Sequence, residues 1–356
     1  MRRSELERRA AASRGGSAAT LDMVAKEAGV SPSTVSRILN GTARVRDAKV
    51  RAVEAAIAKL QFMPNPLARS LARGSSMSIG VVTQMIDSPF YGEVLAAIEK
   101  GLRHARYSVL IVSGHWREED ERQGVAHLLS RRVQGIILLT SCLPDRELVN
   151  LSHSVPLVVT GRSVAGDRIH CLDVDSTPGS RLATDYLIGQ GHRRIAFLSG
   201  PPDHPDAAQR LNGYKSALAA NGIAFSTRLV AHGDYSDVGG HEAMTRLLDS
   251  RVEFTAVVAA NDQTAWGAML ALRRRGLGVP DDVSVVGFDD LAGSAFTIPP
   301  LTTVHRSIDE IGKHAAEAIV DLVERRTPRA TVSAPTLAIR ESTRLLRRAR
   351  RSAGRW

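Results

Sequence analysis

The sequence predicts an α/β body carried behind a small helical, basic head. Three observations carry that reading. From residue 77 onward, short apolar runs alternate with amphipathic stretches, which is how buried parallel strands covered by helices read. Residues 20–62 show three short helical periodicities and no strand pattern. The formal net charge of +10 over 356 residues is uneven: +8 lies on residues 1–76, +6 on residues 344–356 and −4 on the stretch between. A basic head on a slightly acidic body suggests a polyanion-binding module joined to a body with another task.

The length allows two or three domains with a sizeable core. Aromatic residues are only 4% of the chain, so Leu, Val, Ile and Ala must fill that core. Cys142 and Cys171 are too few and too far apart for a disulfide framework or a CxxC pair, which fits a reducing cytoplasm. No apolar run reaches the roughly 18 residues needed to span a bilayer. The basic first residues lack the apolar stretch of a secretory signal.

Taken in order, residues 1–19 are rich in Arg, Ala, Ser and Gly and lack periodicity, so a flexible basic extension is expected. Residues 20–64 should form a helix-turn-helix domain. Thr20 is placed to cap a first helix, with Leu21, Val24, Ala25 and Ala28 on one face. Gly29 suits the left-handed turn after it. Ser31 can cap the second helix, and Pro32 stands at its first position, where a missing N–H costs nothing. Val35, Ile38 and Leu39 form its buried side, and Asn40-Gly41 stops it. Asp47 can begin a third helix with Val50, Val53, Ile57 and Leu60 in step. The first two helices have helix-turn-helix spacing. In residues 65–76, Asn65, Pro66 and Gly74 bound a hinge helix of about two turns, too short to be stable alone in water.

Residues 77–343 should hold two similar lobes with a cleft between them. The expected strands are SIGVVTQM, YSVLIVSG, GIILLT, PLVVTGR, IHCLDVD, RRIAFLSG, AVVAAND and DVSVVGFDD. Helices are expected over 90–106, 117–131, 178–190, 209–221 and 263–275. Ligands of such sheets bind at the carboxyl ends of the strands, where Asp87, Gly161, Gly200, Asn261 and Asp289 fall.

Enzyme signatures fail on inspection. Gly189-Gln190-Gly191 begins a dinucleotide fingerprint, but Arg194 occupies its third glycine position. His241-Glu242 begins a zinc-binding HExxH, but Thr245 ends it. No P-loop and no GxSxG elbow occur. We therefore expect no catalytic activity, no cofactor and no metal. The second helix is more informative. It sets Ser33, Thr34, Ser36, Arg37 and Asn40 opposite its apolar side. Hydroxyls and amides suit phosphate oxygens, and Arg37 can pair with guanine in the major groove.

The stretch TLDMVAKEAGVSPSTVSRILNG, followed by VRDAKVRAVEAAIAKLQFMPNPLARSLARG, closely resembles the LacI/GalR family of bacterial transcription regulators. Further matches are SPFYGEVLAAIEKGL, RLNGYKSAL, ANDQTAWGAMLALRRRGLGVPDDVSVVGFDD and PPLTTVHRS, so the resemblance covers about 20–343. It implies a periplasmic-binding-protein-like body, a homodimer, a pseudo-palindromic operator in double-stranded DNA and a small effector between the lobes. It assigns base contacts to Pro32, Ser33 and Arg37 and backbone contacts to Ser31, Thr34, Ser36 and Asn40. Pro32 departs from the larger polar or aromatic residues of some members. Leu71 matches the hinge leucine that wedges into the minor groove and helps kink the duplex. In the cleft, Arg210 matches a ligand-clamping arginine, Asn261 and Asp289 match polar groups that bond ligand hydroxyls, Tyr235 matches an aromatic that packs on the ligand, and Phe90 a contact from the first lobe. Asp206 is a further candidate in the same loop.

Arg, Asn and Asp beside an aromatic suit a sugar or sugar acid, since hydroxyls need both donors and acceptors. Gly161 replaces an acid or bulkier group, which reshapes the pocket. Purine ligands fit less well, because only one or two aromatics are on offer. The end of the chain lacks a leucine heptad, so a dimer without a coiled-coil tetramer is expected. The expected function is therefore a cytoplasmic, metabolite-controlled repressor. A solute-binding protein or a cytoplasmic sugar-modifying enzyme on the same body is the alternative.

Overall fold

In the computed structural model, residues 19–40, 45–62, 76–172, 175–202, 204–329 and 332–346 are described. The chain divides into two units, Met1–Ser76 and Met77–Trp356.

The first unit contains α1 (Leu21–Glu27), α2 (Pro32–Asn40) and α3 (Asp47–Leu60). The Thr20 hydroxyl accepts the Met23 N–H at 3.3 Å and caps α1. Gly29 turns the chain at φ +62°, a left-handed value that favours glycine. Ser31 Oγ accepts the Thr34 N–H and so caps α2. Val24, Ala25, Val35, Val53, Ala56 and Phe62 bury one small core among the three helices. The expected hinge, all but Ser76, lies outside the described residues, as do residues 1–18 and 347–356.

The second unit is two lobes. The first contains β1 (Ser78–Thr83), α4 (Pro89–His104), β2 (Ser108–Ser113), α5 (Glu118–Ser130), β3 (Gly135–Leu138), α6 (Asp145–Ser152), β4 (Leu157–Thr160) and β5 (Ile169–Leu172). Its sheet has the order β2-β1-β3-β4-β5, and every pairing is parallel. Both faces are buried along β1, β3 and β4, whereas the edge strand β2 is partly exposed with Ile111 at the surface, a departure from the buried strand its apolar run led us to expect. Ile79, Val81, Ile137 and Val158 join one core, and Val82, Ile136, Leu138 and Leu157 join the other.

The second lobe contains α7 (Thr177–Gly189), β6 (Ile195–Ser199), α8 (Pro205–Ala220), β7 (Val230–His232), α9 (Asp237–Asp249), β8 (Ala256–Ala259), α10 (Asp262–Arg274), β9 (Ser284–Asp289), β10 (Thr302–His305) and β11 (Thr336–Ala338). Its order is β11-β10-β9-β8-β6-β7, parallel except for the antiparallel β11 at the edge. Between β10 and β11 the chain returns to the first lobe as α11 (Ile308–Val323), whose Ala315, Ala316 and Ile319 join the first lobe's core. Three connections therefore cross between lobes: β5 to α7, β10 to α11 and α11 to β11.

The strands and helices read from the sequence appear within a few residues of their expected limits. β7, β10, β11, α6, α9 and α11 were not anticipated. β7 and β11 are only three residues long, too short to show a pattern against their surroundings, and β10 is a Thr-rich strand without an apolar run. Residues 344–346, grouped by charge with the tail, are tied to the second lobe: Arg344 N–H reaches Ser284 Oγ at 3.1 Å, and Leu346 N–H reaches the Gln190 carbonyl at 2.8 Å.

Candidate functional sites: a helix face in the head and a cleft between the lobes

On α2, Val35 is fully buried, which turns the opposite side outward. Ser31, Pro32, Ser33 and Arg37 are exposed there, while Thr34 and Ser36 are half-buried. Ser31 Oγ lies 2.9 Å from the hydroxyls of both Ser33 and Thr34. The first turn thus presents a linked group of hydroxyls with Arg37 one turn further on. The side chain of Asn40 and all of Leu71 lie outside the described residues.

The second site forms where the two sheets present their carboxyl ends to each other. At the start of α8, His204 Nδ1 accepts the Asp206 N–H at 3.1 Å. One turn later Arg210 lies 3.5 Å from Asp206 Oδ2. The Arg210 guanidinium is 4.1 Å from the centre of the Phe288 ring, and it donates to the Ala260 carbonyl. Asp289 ends β9 at φ +109°. Its Oδ1 is 3.6 Å from Arg210 and 3.6 Å from Arg306, and it accepts no hydrogen bond among the described residues. Burial pushes the Asp289 carboxyl up, against the pull of the two guanidiniums. Arg306 sits in the crossover between β10 and α11, over Phe90 of the first lobe at 5.5 Å.

Tyr235 stands at φ +71°, with its ring centre 5.5 Å from the Arg210 guanidinium and 5.1 Å from His204. Its hydroxyl is buried without a hydrogen-bond partner among the described residues. Gly200 makes this placement possible, since a Cβ there would overlap the Tyr235 ring. Asn261 caps α10: its Oδ1 accepts the Thr264 N–H at 2.9 Å, and its Nδ2 donates to the Tyr235 carbonyl at 2.9 Å. Asn261 therefore also holds the Tyr235 loop in place. Burial lowers the His204 imidazole to about 4, so it is neutral, and its buried Nε2 has no hydrogen-bond partner among the described residues.

Phe90, Asp206, Arg210, Tyr235, Asn261 and Asp289 all line one cavity of about 60 Å³. Beside it, a smaller cavity of about 20 Å³ is bounded by Thr160, Gly161 and Arg306, with Phe90, Tyr91, Thr140 and Asp206 shared between the two. A larger open groove, about 750 Å³, lies between α4 and α11 on the first lobe. It is lined by exposed charges of both signs, such as Lys313 and Glu317. The cleft is the better candidate because buried, unpartnered polar atoms converge there.

Sequence reasoning missed Arg306, Trp116, His204 and Tyr91. Trp116 hangs between β2 and α5 at φ +58° and meets His204 across the cleft, ring centres 4.4 Å apart. The count of one or two aromatics is therefore corrected. Phe90, Tyr91, Trp116, His204 and Tyr235 all line the cavity, gathered from segments far apart in sequence. Arg306 had a legible signal. It follows the carboxyl end of β10 directly, much as Asp289 closes β9, but β10 was not recognised. Asp87, also at a strand's carboxyl end, is exposed and outside both cavities.

Residues 20–65 match the family model described as bacterial regulatory proteins, lacI family, and residues 184–343 match a periplasmic binding protein-like domain. The chain is 38% identical over 327 residues to the HTH-type transcriptional regulator GalR of Escherichia coli (strain K12), covering 91% of this chain and 95% of that one. It is 35% identical over 311 residues to the ribose operon repressor of the same strain, covering 87% of this chain and 94% of that one. Among solved structures, the lac repressor dimer bound to operator and the anti-inducer ONPF superposes with a TM-score of 0.81 at 32% identity, over 92% of this chain and all of that one. A complex of the transcriptional regulator CelR with cellobiose gives 0.68 at 32%, over 91% of this chain and 99% of that one. A helix-turn-helix head, two parallel-sheet lobes and this similarity along nearly the whole length have one explanation: the chain belongs to the LacI family of bacterial regulatory proteins.

Proposed function

We propose that this protein is a cytoplasmic repressor that binds a pseudo-palindromic operator as a homodimer, and that a sugar or sugar acid bound between the lobes controls it. The observation that carries the reading is one chain with two sites: an exposed hydroxyl-and-arginine helix face in the head, and a cleft of opposed charges and aromatics in the body. Of the proteins similar to this chain, the lac repressor dimer binds operator and the anti-inducer ONPF, and CelR binds cellobiose. In the proposed mechanism α2 enters the major groove, with Pro32, Ser33 and Arg37 against base edges. Ser31, Thr34, Ser36 and Asn40 hold phosphates, and Leu71 wedges the operator centre. In the cleft, Phe90 and Tyr235 pack on the ligand while Asp206, Arg210, Asn261 and Asp289 bond its hydroxyls.

The cleft volume bears on how the effector acts. A cavity of about 60 Å³ admits a few waters and no hexose ring. Ligand entry therefore requires the lobes to part about their three connections, which gives the effector a means of biasing lobe geometry. Footprinting with the full-length chain tests the proposal. A short palindromic site should be protected, and a candidate sugar should change its affinity. Salt-sensitive binding without a protected sequence would overturn it.

A further inference from the structure

The charges in the cleft are not evenly shared. Arg210 has two carboxylates nearby, Asp206 at 3.5 Å and Asp289 at 3.6 Å, together with the Ala260 carbonyl. Among the described residues Arg306 pairs with Asp289 alone, which it shares, and at 3.6 Å this is an ion pair without a hydrogen bond; Asp206 acts on it from further away. Arg306 is 8% exposed, and its Nε and Nη1 are buried without a hydrogen-bond partner among the described residues. Burying a guanidinium is costly unless it is paired and its N–H groups are satisfied. Arg210 leaves only its Nε without an acceptor among the described residues, so the larger shortfall of negative charge and of acceptors in this cleft is at Arg306.

The space beside Arg306 is shaped for a small group. The smaller cavity opens onto it between Thr160, Gly161 and Phe90. Gly161 stands at φ +77°, where a side chain would be strained, and a Cβ would lie 3.6 Å from Thr140 and 3.8 Å from Asp206. The absence of a side chain keeps this corner open. Asp289 Oδ1, 3.6 Å from Arg306 and without a hydrogen bond among the described residues, is an acceptor open to a hydroxyl.

Building on the sugar-regulator reading, we infer that the effector is a polyhydroxy carboxylate, whose carboxylate meets Arg306 in the Gly161 corner while a hydroxyl donates to Asp289. A hydroxyl alone could accept from Arg306 but would leave its charge uncompensated. A carboxylate supplies both the charge and the acceptors. The two sites need no oxidation or covalent step, only the parting and closing of the lobes.

The test is calorimetric titration of the full-length protein with matched pairs: galacturonate against galactose, and glucuronate and gluconate against glucose, with glucose 6-phosphate as a second anion. One of the acids should bind at least roughly 10- to 100-fold more tightly than its neutral partner, the range expected for a charged hydrogen-bonded contact. That preference should collapse in Arg306→Gln and survive in part in Arg306→Lys, which keeps the charge without the fork. If a neutral sugar binds as tightly as its acid, the carboxylate inference fails and the sugar-regulator reading stands. Preference for the sugar phosphate overturns the carboxylate assignment in the same way. If no member of the panel binds while footprints persist, both the inference and the sugar effector fall and the DNA-binding role remains.

Discussion

Gly200 and Asp262 show how single residues set the cleft from behind it. Gly200 touches no ligand in the proposed arrangement; it provides the space in which Tyr235 lies. Gly200→Ala should push the ring out of place and weaken effector binding tenfold or more, while operator affinity without effector is unchanged. Overpacking of this kind costs about 1–3 kcal/mol of stability. Titration calorimetry against wild type measures it, and unchanged effector affinity would mean the ring does not contribute. Asp262 is fully buried in the first turn of α10. Its carboxylate accepts the Leu291 N–H at 2.8 Å and the hydroxyls of Ser294 at 2.6 Å and Thr303 at 2.5 Å. Burial outweighs these bonds and raises the group from its ordinary 3.8 to about 7, with Asp289 adding to the rise. The folded chain thus holds a proton that the unfolded chain releases at lower pH. This contribution to stability is complete below about 4 and is lost as pH rises through about 7. Asp262→Asn cannot ionise, so its stability should fall less than wild type between pH 5 and pH 8. Urea midpoints at the two pH values decide the matter, and parallel changes would exclude Asp262 as the source.

At the scale of elements, α2 depends on its first turn for both stability and recognition. Ser31 Oγ accepts the Thr34 N–H at 3.3 Å, adding to the bond this first-turn donor makes to the Ser31 carbonyl at 2.9 Å. Ser31→Ala should cost the head about 1 kcal/mol. Amide hydrogen exchange over residues 20–62 without DNA would show faster exchange confined to the head, and unchanged rates would mean that water caps the helix as well. This element was legible because its signals are local: Thr20, Gly29, Ser31 and Pro32 punctuate helices within a few residues. The same holds for the longer buried strands, whose apolar runs need no distant partner to be recognised. α11 was lost for a different reason. Ile308, Ile311, Ala315 and Ile319 recur at helical spacing, yet the helix packs on the lobe that the chain had left some 130 residues earlier. Periodicity marks a helix but does not say which sheet it covers. The cleft divides similarly. Asn261 and Asp289 were already placed at strand ends by the apolar runs and the other proposed residues came through resemblance, whereas Trp116 and Arg306 become cleft residues only once the lobes are brought together.

At the scale of the whole molecule, charge and control occupy different parts of the chain. The net +8 of residues 1–76 precedes a body of net −4, and the four ionisable groups at the centre of the cleft are two arginines and two aspartates. Salt dependence of DNA binding reports how many phosphates are neutralised, with log affinity falling by about 0.9 per phosphate for each unit of log salt. If the effector acts by altering the spacing of the two heads of a dimer, it changes how well the base-reading residues register while leaving their charges in place. Saturating effector should then shift operator affinity by roughly 5- to 150-fold, the usual range for coupled sites. The salt slope should move by no more than about one phosphate contact. Binding curves across salt concentrations, with and without effector, measure both quantities. A slope that falls by several contacts together with the affinity would show that the effector detaches heads from the backbone, and the spacing mechanism would be wrong. A shift in affinity at constant slope would tie control to the arrangement of Ser33, Arg37 and Leu71 on the operator.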